Sequence, residues 1–188
     1  MSSQEIKRHL QNIAQSHPYI VHSQLKKGDT VKKSASLKYE IDDVNIHKKL
    51  GDFEKGVIPY TRIYHSLVHS QSKVNSVFNG SNQIPFSRAM SAGVGECLEK
   101  AVLVQLAAQT GRDSFLINGL VSEDHKFGIG RHGYNIVFKD EKPYLVDAQN
   151  PYFLDEQTIQ PFIIPVTAIQ DGFVILPNEL RLNRQYSL

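Results

Sequence analysis

Three features of the sequence predict an α+β fold. A run of strong helix formers from Leu98 to Gln109 follows Cys97 and is apolar on nearly every side, so a helix there should be buried. Beyond Gly111 the texture changes to short apolar segments rich in strand formers and separated by turn residues. Before Gly80 the apolar spacing is broadly helical. The expected architecture is a central helix bearing Cys97, packed on an antiparallel sheet, with a helical N-terminal extension.

A chain of 188 residues is expected to be one domain with an ordinary core. Residues 1–80 would form the mainly helical extension and residues 81–180 the core. A hydrophobic share of 40% and a charged share of 21% describe a soluble globular protein. The net charge is only +2, and the basic residues do not interleave with aromatics, so nucleic acid is not an expected partner. No apolar run approaches the roughly 18 residues that span a bilayer, so no membrane contact is expected. Met1–Leu10 has no apolar core, which predicts a cytoplasmic protein or one secreted without a cleavable signal. One cysteine excludes an internal disulfide and fits a reducing compartment.

The elements follow in order. Residues 3–15 read as an amphipathic helix with Ile6, Leu10 and Ile13 on one face, ended by His17-Pro18. The lysines at 26, 27, 32, 33 and 38 read as a solvated surface around a turn at Gly28-Asp29. Glu40–Asp43 leads into a helix through Leu50. Pro59 opens another helix, whose apolar spacing runs through Ile63, Leu67, Val68, Val74, Val77 and Phe78 to Asn79-Gly80. His65 and His69 form an i,i+4 pair on that helix, but Ser66 stands where a zincin motif has glutamate. With no third ligand evident, neither a metal nor any other cofactor is expected.

Gly93 and Gly95 precede Cys97, and Thr110-Gly111 stops the helix after it. A cysteine at a helix start meets unpaired amides and the positive end of the helix dipole, which favour the thiolate. The plainer reading is a small core residue, since free cysteine is commonly buried. Strands are predicted at Ser114–Val121, His132–Phe138, Pro143–Asp147, Phe162–Val166 and Phe173–Leu176. Pro165 marks the fourth as an edge strand. Arg181–Leu188 reads as a tail.

A turn at Asp140-Glu141 sets Lys139 opposite Lys142 and Tyr134 opposite Asp147. His132 is then the diagonal neighbour of Asp147 on one sheet face, about 7 to 8 Å away at the backbone. A carboxylate on one imidazole nitrogen would leave the other for a thiol. A one-residue bulge would separate the two side chains.

Gly95-Glu-Cys97 before a helix, a break at Gly111, a strand ending in Asn118-Gly119, His132-Gly-Tyr-Asn135 and Tyr144-Leu-Val-Asp-Ala-Gln-Asn-Pro151 together resemble the transglutaminase-like superfamily of the papain-like fold. The resemblance covers residues 93–151. Tyr134 stands where the family usually has tryptophan, and the chain has no tryptophan. The resemblance implies a catalytic triad of Cys97, His132 and Asp147, without a cofactor. It implies acyl transfer or hydrolysis at a glutamine side-chain amide of a protein substrate, through a thioester resolved by water or an amine. Deamidases, transglutaminases and peptidases all share the triad, and a catalytically inactive binding module would keep the scaffold. An arylamine N-acetyltransferase shares the order too, but no acyl-CoA region is visible. A small stand-alone domain with an N-terminal extension is similar to bacterial effectors that deamidate a host protein. Asn82 and Gln83, as upstream amides, are candidate oxyanion donors.

Overall fold

The helix after Cys97 and strands at Ser114–Glu123, Gly130–Lys139, Lys142–Val146 and Phe173–Ile175 form where the residue pattern places them, and further short strands after Gly111 add to them. The fold is taken from a computed structural model, which describes all residues except 69, 124–129, 150–151, 154–158, 161–162 and 178–183. It is a mixed α+β architecture with a mostly antiparallel sheet. The elements before the central helix are α1 (Ser3–Ser16), β1 (Val21–His22), β2 (Thr30–Lys32), β3 (Lys38–Glu40), a 3-10 turn at Ile46–Leu50, α2 (Tyr60–Ser66), α3 (Gln71–Phe78), β4 (Gln83–Pro85) and α4 (Phe86–Ser91). The central helix is α5 (Cys97–Ala108). After it come β5 (Ser114–Glu123), β6 (Gly130–Lys139), β7 (Lys142–Val146), β8 (Tyr152–Phe153), β9 (Ile159–Gln160), β10 (Ile163–Pro165), β11 (Ala168–Gln170), β12 (Phe173–Ile175) and β13 (Arg184–Ser187).

The main sheet runs β10-β7-β6-β5-β13-β12-β11, with β1 also paired to β5. Strands β2, β3 and β4 make a second sheet, in which β3 and β4 are parallel. Two cores lie on the two faces of the main sheet, because strand side chains alternate. One holds α5 together with Leu116, Val137 and Val146. The other holds Ile6 and Leu10 of α1 together with Phe115, Ile117, Tyr134, Ile136 and Leu145. Ser2 caps α1, and the Glu5 side chain returns to the Ser2 backbone, closing a reciprocal capping box. Strand β10 lies at the sheet edge, where its proline costs no ladder bond.

Three expectations are corrected. Residues 1–80 are not simply a helical extension: β1 joins the main sheet, and β2 and β3 build the second one. The helix expected from Pro59 to Phe78 is two helices. It breaks after Ser66 because Val68 runs beside Val94 as a parallel bridge, with its N–H donating to the Gly93 carbonyl at 3.0 Å. The C-terminal tail is a strand: β13 pairs antiparallel with both β5 and β12. Among the described residues, no helix is long and apolar enough to cross a membrane.

Candidate active site

Cys97 is the first residue of α5 and is half-buried. Its amide is therefore one of the four N–H groups that an α-helix leaves without an internal acceptor. Gly95, two residues earlier, lets the chain enter this helix. A Cβ there would lie 2.7 Å from both Glu99 Cβ and Leu67 Cδ1.

The hairpin that presents the histidine has the register read from the sequence. Lys139 pairs with Lys142 and Asn135 with Val146. Asp140 and Glu141 both have positive φ, at 49° and 61°, as a tight hairpin turn with matching twist requires. No bulge intervenes, so His132 and Asp147 meet. His132 Nε2 lies 2.7 Å from Asp147 Oδ2, and both residues are buried. Strand β7 ends at Val146, opposite Asn135, leaving the Gly130–Tyr134 end of β6 without a β7 partner. There the Cys97 side chain lies near enough to act on the charge of the His132 ring. With Nε2 on the carboxylate, Nδ1 is the nitrogen left for sulfur.

Gly133 makes this meeting possible. A Cβ on it would lie 2.6 Å from Leu98 Cα and 3.0 Å from Leu98 N, backbone atoms that cannot step aside. Glycine thus seats β6 directly on the first turn of α5. Gly133→Ala should force strand and helix apart, lowering stability by about 1–3 kcal/mol and slowing alkylation of Cys97 by parting it from His132. A variant with unchanged melting and unchanged Cys97 reactivity would contradict this.

Asp147 is held from three sides. Oδ2 also accepts from the Tyr186 hydroxyl at 2.7 Å, and Oδ1 accepts from the Gln149 amide at 3.0 Å. Burial works against a charged imidazole, but hydrogen bonds and charge from Asp147 and Cys97 outweigh it and push His132 up to about 10. A group raised in this way stabilises the folded state in full below its ordinary value of 6.5. That contribution shrinks as the pH climbs and is gone above about 10. The melting-temperature gap between wild type and His132→Gln should therefore be widest below about pH 6.5 and narrow toward pH 10. A gap independent of pH would refute the assignment.

Beneath Cys97 lies a second polar cluster, which the sequence reading missed. Glu99 is fully buried and accepts from Lys33 Nζ at 2.6 Å and from the Tyr39 hydroxyl at 2.6 Å. Its other oxygen accepts the Glu96 N–H at 2.9 Å. Burial alone would raise the Glu99 carboxyl, but Lys33, Tyr39 and the Glu96 amide hold it low. Burial alone would lower Lys33, but Glu99 and Glu96 hold it high. Lys33 is therefore a buried ion-pair partner rather than part of a solvated surface.

The remaining candidates make other contacts. The Gln83 amide donates to Glu40 at 3.0 Å within the second sheet, and the Asn82 carbonyl accepts from the Lys38 N–H. Of the proposed histidine pair, His65 lies in the last turn of α2 and position 69 lies outside the described residues. No cluster of three or more metal-ligating side chains occurs among the described residues. Comparison with protein-family models, with curated proteins and with solved structures returns no match.

Proposed function

We propose that the protein is a thiol-dependent acyl-transfer enzyme with a transglutaminase-like, papain-like core, acting on a glutamine side-chain amide of a protein substrate. The observation that carries this reading is the buried His132–Asp147 pair at 2.7 Å, set beside the first turn of the helix that begins at Cys97. A buried carboxylate on Nε2 orients the ring and steadies its charged form, as in other nucleophile–imidazole–carboxylate sites. A thiolate beside a charged imidazole is the reactive species, since the thiolate and not the thiol attacks.

In the first half-reaction the Cys97 sulfur attacks the amide carbon, and the carbonyl oxygen takes the negative charge. The Cys97 N–H, in the first turn of α5, would donate to that oxyanion. As the carbon–nitrogen bond breaks, His132 passes its proton to nitrogen, and ammonia leaves behind a thioester. In the second half-reaction His132 takes a proton from water or from an amine, which attacks the thioester and frees the thiol. Water gives glutamate, and an amine gives a new amide. The resemblance to deamidating bacterial effectors extends the proposal to a host protein as substrate.

Mass spectrometry of candidate protein substrates tests the reading. A gain of about one dalton at a single glutamine, or an amine adduct there, is the expected product. Cleavage of a peptide bond would instead mark a peptidase. Cys97 with no more reactivity toward iodoacetamide than glutathione would mark an inactive binding module.

A further inference from the structure

Lys100 lies one turn beyond Cys97 on α5, and only 4% of its surface is exposed. Its ammonium sits 4.9 Å from the ring centre of Tyr64, a residue of α2. Removing an ammonium from water costs several kcal/mol unless a counter-charge is near, and an aromatic face returns only about 1–2 kcal/mol. Among the described residues the Lys100 ammonium makes no hydrogen bond and no ion pair. Lys33 differs, because its charge is committed to Glu99 at 2.6 Å and Glu96 at 3.4 Å. Among the described residues, the fully enclosed side-chain polar atoms without a partner belong to His22, His47, Ser114, Asn135 and Gln149, and the Lys100 nitrogen is not one of them.

Burial holds the Lys100 ammonium below its ordinary value, and the charges of Cys97, Asp147 and Glu99 offset that only in part. An under-compensated cation thus stands beside the nucleophile, bonded to neither it nor the triad carboxylate. Such a group gains from an arriving anion, because a short contact in a partly dry site is strongly attractive.

We propose that Lys100, steadied by Tyr64, is a specificity residue of the thiol site and receives an anionic group of the substrate, the carboxylate of an acidic residue beside the target glutamine. This rests on the acyl-transfer reading above. It narrows the substrate to glutamines in an acidic setting.

The single cysteine of the chain permits a direct test. Cys97 is alkylated with iodoacetate, an anion, and with iodoacetamide, its neutral counterpart, in wild type, Lys100→Met and Lys100→Arg. N-acetylcysteinamide, an uncharged thiol, sets the reference ratio of the two rates. In wild type at low ionic strength the iodoacetate-to-iodoacetamide ratio should exceed the reference by about tenfold, and salt should erode it. Lys100→Arg should keep the preference and Lys100→Met should lose it. Methionine has a similar volume, so the packing is expected to survive, which a thermal melt checks. Should Lys100→Met fail to fold, the salt response of the wild type decides, and a preference indifferent to salt overturns the proposal. A reactive Cys97 whose ratio is the same in Lys100→Met also overturns it, while leaving acyl transfer standing. A Cys97 that reacts with both reagents no faster than the reference thiol overturns both.

Discussion

Cys97→Ala should lose at least about 10⁴-fold of the glutamine-directed activity while melting within about 1 kcal/mol of wild type. The two halves of that expectation have separate causes. Alanine is the best helix former and Cys97 is only half-buried at the first position of α5, so little packing is lost. The helix keeps its Glu99 contact to the Glu96 amide. What disappears is the atom that forms the thioester, and His132 and Asp147 then hold a proton relay with no nucleophile to serve. Ammonia release or the mass of the product glutamine measures the first half, and thermal unfolding measures the second. Retained turnover with a folded variant would remove Cys97 from the mechanism. A lost fold would instead show that the residue is structural, which is the reading its burial alone invites.

Much of this site was legible because it depends on local rules. The Leu98–Gln109 run can only be a buried helix, and glycines before it and after it fix its limits. The hairpin register followed from the Asp140-Glu141 turn, and with it the approach of His132 to Asp147. What escaped notice depends on distant pairings. Tyr186 reaches Asp147 only because β13 joins β5, and a short strand of Arg, Gln, Tyr and Ser carries little apolar pattern. Its one signal was the alternation that buries Tyr186 between exposed Gln185 and half-buried Ser187. The break between α2 and α3 was hidden for a related reason. Leu67 and Val68 continue a helical spacing, yet the Gly93–Gly95 segment offers Val68 backbone partners that the helix does not. Glu99 did leave a clue. A carboxylate inside a helix that is apolar all round needs a counter-charge or a polar partner when buried, and Lys33 and Tyr39 supply both.

Glu99→Gln should cost about 3–5 kcal/mol of folding stability, because it leaves the Lys33 ammonium buried without its counter-ion. The neutral amide can still accept the Glu96 N–H, so the loss isolates the charge rather than the helix cap. Lys33 retains Glu96 at 3.4 Å, a longer and more exposed contact that cannot replace one of 2.6 Å. Removing the cluster as a unit has a different outcome. The triple variant Lys33→Met, Glu99→Leu, Tyr39→Phe discards both charges and the hydroxyl that depends on them, so no buried polar group is stranded. It should recover most of the stability that Glu99→Gln loses, short of about 1 kcal/mol for the helix cap. Cys97 reactivity need not follow, since the Glu96 amide then lacks the acceptor that fixes the turn into Cys97. Chemical denaturation supplies the stabilities and iodoacetamide supplies the thiol rate. A triple variant that is stable yet slow to alkylate would assign the cluster to positioning the nucleophile. Glu99→Gln with wild-type stability would show that the buried pair contributes nothing to the fold.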